Sequence, residues 1–275
     1  MHPESTQTQA IRYVRLQLDA ATRWRRRESF ACVSQLGQLA LSDSELLVSS
    51  HHLPIAIDSG DDRLQVVAIT SPQFQRTPLV DADGQWRRGY APIALRCLPF
   101  RLGVEGGDTL EIATNLQGHA TAEAPVLDDK GELAAEIKQA VALLRRLEAG
   151  KRRLQMAAEK LLIADVLAPF QVMRAPGGAS VRSRILTVDR NKLAALSPRR
   201  ISHIARDDFL PIDLVAACLF SQRLVPAPIS VATEPGAAAS EPDQPPRIQF
   251  NANTQLDDSE LFSFDAFVRA GHRDD

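Results

Sequence analysis

Cysteine, aromatic residues and long apolar runs are all scarce in this chain of 275 residues, in which aromatics make up 5%. Its three cysteines, Cys32, Cys97 and Cys218, form no CxxC pair, which disfavours a disulfide framework or zinc site and indicates a reducing compartment. No run reaches the roughly 18 apolar residues of a membrane span, and the first residues lack a signal peptide's layout. We therefore expect a cytoplasmic protein without a membrane span.

An excess of basic charge is also missing. The formal charge is −2, from 32 basic and 34 acidic side chains, which argues against a general nucleic-acid binder. The charge is nevertheless uneven, because residues 232–275 contain nine acidic residues against three arginines, a balance of −6 that leaves residues 1–231 at +4. We expect no nucleic-acid partner, and a C-terminal tail that differs in character from the rest.

The signatures of common catalytic and cofactor sites are absent too. The sequence has no Gly-x-Ser-x-Gly elbow, no Gly-x-x-x-x-Gly-Lys loop and no Gly-x-Gly-x-x-Gly turn. Asp81, Asp83 and Gly84 have the wrong spacing for a calcium loop, so we interpret them as a tight turn. The six histidines form no His-x-x-x-His pair. We expect no metal, no cofactor and no catalytic residue, and we interpret Cys97 as a buried thiol rather than a nucleophile.

Hydrophobic periodicity divides the chain into four regions and predicts an α+β fold. Residues 1–127 are rich in short strand patterns. Residues 128–168 have a 3.6-residue apolar period interrupted at Gly150, which predicts a helical pair or one kinked helix. Residues 169–226 predict a hairpin followed by a small helical C-terminal element, and residues 227–275 form a linker and an acidic–apolar tail that we expect to be disordered.

Several elements can be placed more closely. Alternating apolar residues predict a strand in 11–18, apolar segments predict strands in 64–69 and 110–113, and the segment 46–57 predicts a short helix leading into a strand. The hairpin strands are expected at 170–173 and 184–188, around a turn at 176–178. Helix starts are indicated at Asp189, at Ser197-Pro198 and at Asp207 or Asp208, because these residue types cap helix N-termini.

The tail contains an apolar cluster set among acidic residues. Its candidate partner-binding side chains are Leu261, Phe262, Phe264 and Phe267. An apolar–acidic segment on a flexible tether is either a docking peptide for a protein partner or an arm that folds back on its own domain. Both alternatives stay open from the sequence.

One segment of the chain resembles the signature of a known family. Residues 79–100 contain a Val-Asp-x-x-Gly-x-Trp turn that ends at Trp86, then Tyr90-x-Pro and Arg96-x-x-Pro-Phe, and this order is similar to that of the SapC family. Four other segments resemble SapC blocks in order: His52–Ile55, Asp128–Gly131, Leu162–Phe170 and Val188–Leu196. The resemblance covers about residues 30–225, and the sequence departs from the pattern at Thr77-Pro78 and in the acidic tail.

The resemblance implies a cellular setting rather than a reaction. The family is named for a gene beside a bacterial surface-layer protein and its transport genes, and relatives neighbour outer-membrane uptake receptors. The resemblance therefore implies a non-catalytic accessory or binding protein that supports a surface, secretion or envelope uptake system. No catalytic residues carry over from it.

Trp86, Arg87, Tyr90 and Arg96 are the candidate ligand-binding residues of this signature. Such side chains can stack on or ion-pair with an anionic or aromatic ligand, or they can pack as a loop that caps the sheet. The alternative function is an enzyme, or an enzyme partner, that modifies a peptide or aromatic substrate at this surface. A third possible function is that of a regulator whose C-terminal tail covers this surface.

Overall fold

The computed structural model describes residues 11–27, 29–60, 63–103, 109–116, 123–170 and 184–226, which belong to one compact unit. These residues form ten strands and seven α helices, which confirms the α+β prediction. The strands are β1 Tyr13–Arg15, β2 Arg23–Arg25, β3 Gln38–Ala40, β4 Ile55–Asp58, β5 Gln65–Ile69, β6 Phe100–Leu102, β7 Leu110–Ala113, β8 Glu123–Pro125, β9 Leu167–Pro169 and β10 Ile185–Val188. The helices are α1 Val33–Leu36, α2 Leu46–Ser50, α3 Ile93–Arg96, α4 Ala135–Ile163, α5 Arg190–Ala194, α6 Pro198–Ile204 and α7 Leu210–Ser221.

The central layer is a five-stranded antiparallel sheet in the order β3-β5-β4-β10-β9. Two of its inner strands, β4 and β5, are buried on both faces, which explains their nearly continuous apolar sequence. Ile55 and Ile57 face the main core, where α4 and α7 pack, while Ala56 and Val67 pack with Phe170 in a second cluster. The remaining strands form two smaller sheets, β1-β7-β6 and β2-β8.

The region predicted as a helical pair or one kinked helix is the single helix α4, 29 residues long. Its first half buries Ile137 and Leu144 beneath the three-stranded sheet, and its second half buries Leu154 and Leu161 against the five-stranded sheet. Gly150 lies between the two halves, where a Cβ atom would come 2.8 Å from the backbone nitrogen of a neighbouring turn. The glycine therefore marks a close approach and not a helix end. Among the described residues, no helix has the length and apolarity needed to cross a membrane.

The second predicted hairpin strand forms β10, which is antiparallel to β9, with Val188 opposite Leu167. The first was expected at residues 170–173, after β9, and of these only Phe170 is described; its N–H donates to the Ile185 carbonyl at 2.7 Å. β10 also pairs with β4, so strands from two of the predicted regions share one sheet. The turn at residues 176–178 and the tail residues of the prediction lie outside the described residues.

The helix starts of the C-terminal element follow the expected capping chemistry. The Asp189 carboxylate accepts hydrogen bonds from the backbone N–H groups of Asn191 and Lys192, 2.8 and 3.2 Å long. Ser197 precedes Pro198, the first residue of α6, and Asp208 accepts a 2.9 Å bond from the N–H that opens α7. Asp189 and Asp208 thus satisfy donors that have no partner inside their helices, whereas the Ser197 side chain makes no capping hydrogen bond and α6 begins with a proline.

Candidate functional site

The signature segment, residues 79–100, lies between β5 and β6 and begins with a tight turn. The Asp81 carboxylate accepts the N–H groups of Asp83 and Gln85, and the Gly84 N–H donates to the Asp81 carbonyl at 3.1 Å. Gly84 has φ +79°, and a Cβ atom there would overlap the side chain of Ser29. These contacts confirm the turn and explain why its fourth residue is glycine.

Trp86 folds back onto the protein. Its indole N–H donates to the Tyr90 carbonyl at 2.9 Å, and its ring lies 5.9 Å from that of Phe30 between centroids. The guanidinium of Arg27 lies over the other side-chain ring of this pair, 4.0 Å from the Phe30 centroid. Trp86 is half-buried and packs against the main core, so its aromatic face and its single polar group are both engaged.

Glu45 is the residue that holds the signature segment. It is 1% exposed and ends the short 3-10 turn Asp43–Glu45. Its Oε1 accepts the Ser42 N–H at 2.9 Å, while its Oε2 accepts the Tyr90 hydroxyl at 3.0 Å and the Ile93 N–H at 2.7 Å. One buried carboxylate thus joins the start of α2, the phenol of the signature and the start of α3.

Sequence reasoning missed the role of Glu45. Ser42 and Glu45 form a capping box, whose S-x-x-E spacing is visible in the sequence. That signal indicates a helix start, but it gives no indication of two further donors located 45 and 48 residues later. Only the fold brings them to the carboxylate.

The four predicted ligand-binding residues fall into two pairs. Trp86 and Tyr90 direct their polar groups inward, and burial, followed by the Glu45 carboxylate, raises the pKa of Tyr90 to about 12. Arg87 and Arg96 are exposed, with the Arg96 guanidinium 5.7 Å from the Tyr90 ring centroid. Ligand binding by these four residues stays a prediction. The groups that they expose to solvent are the guanidinium groups of Arg87 and Arg96.

The signature segment contains one cysteine, Cys97, and it is buried. Cys97 is 2% exposed, and burial raises its pKa to about 11. A thiol with a raised pKa provides little thiolate, which is the nucleophilic form. The interpretation of Cys97 as a buried thiol is confirmed. In the part of the chain that the structure describes, no cluster of three or more His, Cys, Asp or Glu could hold a metal ion.

A cleft of about 770 Å³ lies beside the signature turn. Two segments line it, namely residues 29–33 and residues 70–85, and the second includes the signature turn. Sequence reasoning did not find it, because the two segments are far apart in the sequence and only the fold brings them together. Another molecule could contact this region in the cleft or at the two exposed arginines, Arg87 and Arg96.

The comparison with protein families gives one match. The family model described as SapC matches residues 19–227, which is most of the chain and includes the turn, the Glu45 contact and α4. No curated protein and no solved structure matches the chain. The chain belongs to the SapC family.

Proposed function

We propose that this protein is a non-catalytic accessory protein that binds a protein partner in a bacterial surface, secretion or envelope uptake system. Family membership supports the setting. The reducing compartment predicted from the cysteines supports a cytoplasmic location. One observation carries the binding role. The Tyr90 phenol and the Trp86 indole N–H form hydrogen bonds within the protein, whereas Arg87 and Arg96 are exposed to solvent.

This arrangement favours binding over the enzyme alternative. A general acid or base needs a pKa near the working pH, and the Tyr90 phenol, bound to Glu45, has a pKa of about 12. Arg87 and Arg96 are the exposed members of the set, and arginine side chains pair well with carboxylates and stack on rings. We therefore expect the partner to present acidic or aromatic groups at this surface.

The tail supplies a second proposed contact. Leu261, Phe262, Phe264 and Phe267 lie outside the described residues, and their apolar–acidic pattern is typical of a docking peptide. Two modest contacts on one chain can bind a partner far more tightly than either does alone, because the first raises the effective concentration of the second.

The arginine pair can be tested by capture of the tagged full chain from its own host, followed by native mass spectrometry. We expect a stoichiometric protein partner with the wild type and at least tenfold less with the double variant Arg87→Ala/Arg96→Ala, because interface arginines often contribute about 1 kcal/mol or more each. The double variant Arg152→Ala/Arg199→Ala removes two exposed arginines elsewhere and should capture a normal amount.

Two further arms complete the experiment. Deletion of residues 250–270 should weaken capture without changing the circular dichroism of the folded part. Equal capture by all variants would contradict the proposed surface. A bound small molecule that is turned over, without any protein partner, would instead support the enzyme alternative.

A further inference from the structure

We propose that the exposed face of α7, together with α2 beside it, is a docking surface for the apolar–acidic segment 256–268 of this chain's own tail. This inference goes beyond the accessory role and does not depend on it, although a partner that binds the tail would have to displace it from this face. It rests on three observations: an exposed apolar helix face, basic side chains at one end of that face, and a tail of matching chemistry that follows α7 in the chain.

The helix α7 is apolar on all sides. Its sequence, Leu-Pro-Ile-Asp-Leu-Val-Ala-Ala-Cys-Leu-Phe-Ser, contains one charged residue, Asp213. Leu214 and Cys218 are buried in the main core. A helix that is apolar all round is normally buried all round. The described residues nevertheless leave one face of α7 open to solvent.

The open face is a continuous apolar stripe. Phe209, Ile212, Ala216 and Phe220 follow one another at intervals of three or four residues, so they lie on one side of the helix. Phe209 is 73% exposed and Phe220 is 42% exposed, and the two residues between them are exposed as well. The stripe therefore extends over the whole length of α7.

The short helix α2 widens this stripe into a patch. It packs beside α7 and exposes Leu47 and Val48. Both lie one turn before His51, whose ring is 4.7 Å from that of Phe220 between centroids. Contiguous exposed apolar patches are uncommon on monomeric proteins and usually mark a binding surface.

Basic side chains are grouped at the C-terminal end of this patch. The Arg223 guanidinium lies over the Phe220 ring, 3.9 Å from its centroid. Burial, followed by the nearby charges of His51, Arg88 and Arg223, lowers the pKa of His52, so these four basic groups lie close together. Arg223 forms no ion pair with any residue that the structure describes. This end of the patch therefore attracts acidic groups.

Acidic side chains lie at the opposite end of α7. Asp208 and Asp213 flank its first turn, and Asp207 is paired with Lys160 at 2.8 Å. A segment with unevenly distributed acidic residues would therefore bind in one direction, with its acidic end beside Arg223.

The tail has this complementary chemistry. Within the segment 256–268, Leu261, Phe264 and Val268 have the i, i+3, i+7 spacing of side chains that anchor a segment in an apolar groove. Residues 257–260 precede them and contain three acidic side chains. The segment thus combines an apolar anchor with an acidic end.

The connection between the tail and α7 favours the chain's own segment over other occupants. The described chain ends at Pro226, directly after the 3-10 turn Gln222–Leu224 that follows α7. Residues 227–255 can span about 30 Å, whereas α7 is about 18 Å long. A tethered segment has an effective concentration in the millimolar range. A second copy at micromolar concentration competes poorly with it.

The test compares NMR spectra of the isotope-labelled full chain and of a shorter chain that ends at residue 249. We expect the Ile212, Ala216 and Phe220 amide signals to differ between the two, because only the full chain has the segment that covers them. Unchanged signals from β5 would show that the shorter chain is folded. A synthetic peptide of residues 252–271 should move the three signals of the shorter chain saturably towards their full-chain positions. It should not move those of the full chain, whose face is occupied.

Matched substitutions locate the binding surface. Ala216→Glu places a carboxylate in the middle of the stripe and should weaken binding of the peptide to the shorter chain at least tenfold, because that charge would be buried against apolar groups. Ala142→Glu makes the same change at an exposed alanine in the first half of α4 and should leave binding unchanged. A peptide with Phe264→Ser and Phe267→Ser should also bind at least tenfold more weakly, because it loses two apolar rings.

Four results would overturn the proposal. Identical α7 signals in the full and the shorter chain would show that the tail leaves the face open. Signals of α7 that depend on protein concentration in the shorter chain would assign the face to a second copy. A response to phosphatidylglycerol vesicles but not to the peptide would assign it to a lipid surface. Peptide-induced shifts at Arg87 and Arg96 in place of α7 would locate the tail on the signature segment.

Discussion

Replacement of Glu45 by alanine is expected to lower the free energy of unfolding by about 3–5 kcal/mol. The carboxylate is 1% exposed and accepts hydrogen bonds from Ser42, Tyr90 and Ile93. Without it, two backbone N–H groups stay buried and unpaired, and each such group costs about 1–3 kcal/mol. Urea denaturation followed by tryptophan fluorescence measures the change.

Two milder variants separate the hydrogen bonds from the lost volume. Glu45→Gln keeps the shape but has one acceptor oxygen where the carboxylate has two, so one donor must face an amide NH₂, and we expect a loss of about 2–3 kcal/mol. Tyr90→Phe removes one hydroxyl and should lose about 1 kcal/mol. A Glu45→Ala protein within 1 kcal/mol of wild type would contradict the role assigned to this carboxylate.

Gly150→Ala is expected to destabilise the protein by about 2–3 kcal/mol, although alanine is the better helix former by about 1 kcal/mol. Gly150 is buried in the middle of α4, against the 3-10 turn that carries Glu45. A Cβ atom would overlap Ser42 Oγ and lie 2.8 Å from the Asp43 backbone nitrogen. Either α4 or the turn must therefore move.

The matched control is the neighbouring residue. Ala149 is exposed on the same helix, so Ala149→Gly should lose only the propensity difference, about 1 kcal/mol. Chemical denaturation of both variants gives the comparison. A stabilised Gly150→Ala protein would show that helix propensity outweighs the close approach, and the packing of α4 described above would be wrong.

The sequence was most informative where chemistry is local. The short apolar segments 64–69 and 110–113 locate β5 and β7 almost to the residue, because such runs are typical of strands that lie in a core. Asp189 indicates a helix start for a similar reason, because its side chain caps N–H groups two and three residues later. At Ser197-Pro198 the signal is the proline, which is favoured at the first position of a helix. The turn at Asp81 needs only its own side chain and a glycine.

The long-range contacts could not be predicted in this way. Gly150 was interpreted as an interruption, because a glycine inside a helical period has the same pattern whether the helix breaks or another segment approaches it. The sequence is compatible with Trp86 and Tyr90 in either a ligand-binding surface or a packed loop. The contact that distinguishes the two for Tyr90 is its hydrogen bond to Glu45, which is far away in the chain. The cleft was not predicted because its lining combines residues 29–33 with residues 70–85, which are far apart in the sequence.

Together these contacts give the family signature a physical meaning. The segment 79–100 is built inward onto Glu45, and Glu45 belongs to the turn against which α4 packs at Gly150. A fixed segment holds its outer groups in place, which lowers the entropy lost when a partner binds. The central claim is therefore that the signature is a rigid part of the folded core and not a mobile loop.

Hydrogen exchange of the Ile93 amide tests this claim most directly. Ile93 is the first residue of α3, a position whose N–H has no partner within the helix and would exchange quickly in a loop. In this structure it donates to the buried Glu45 carboxylate at 2.7 Å. We predict that Ile93 is protected as strongly as the core amides of β5 and that Glu45→Gln removes much of this protection. Exchange of the wild-type amide at the rate of an exposed loop would contradict the account.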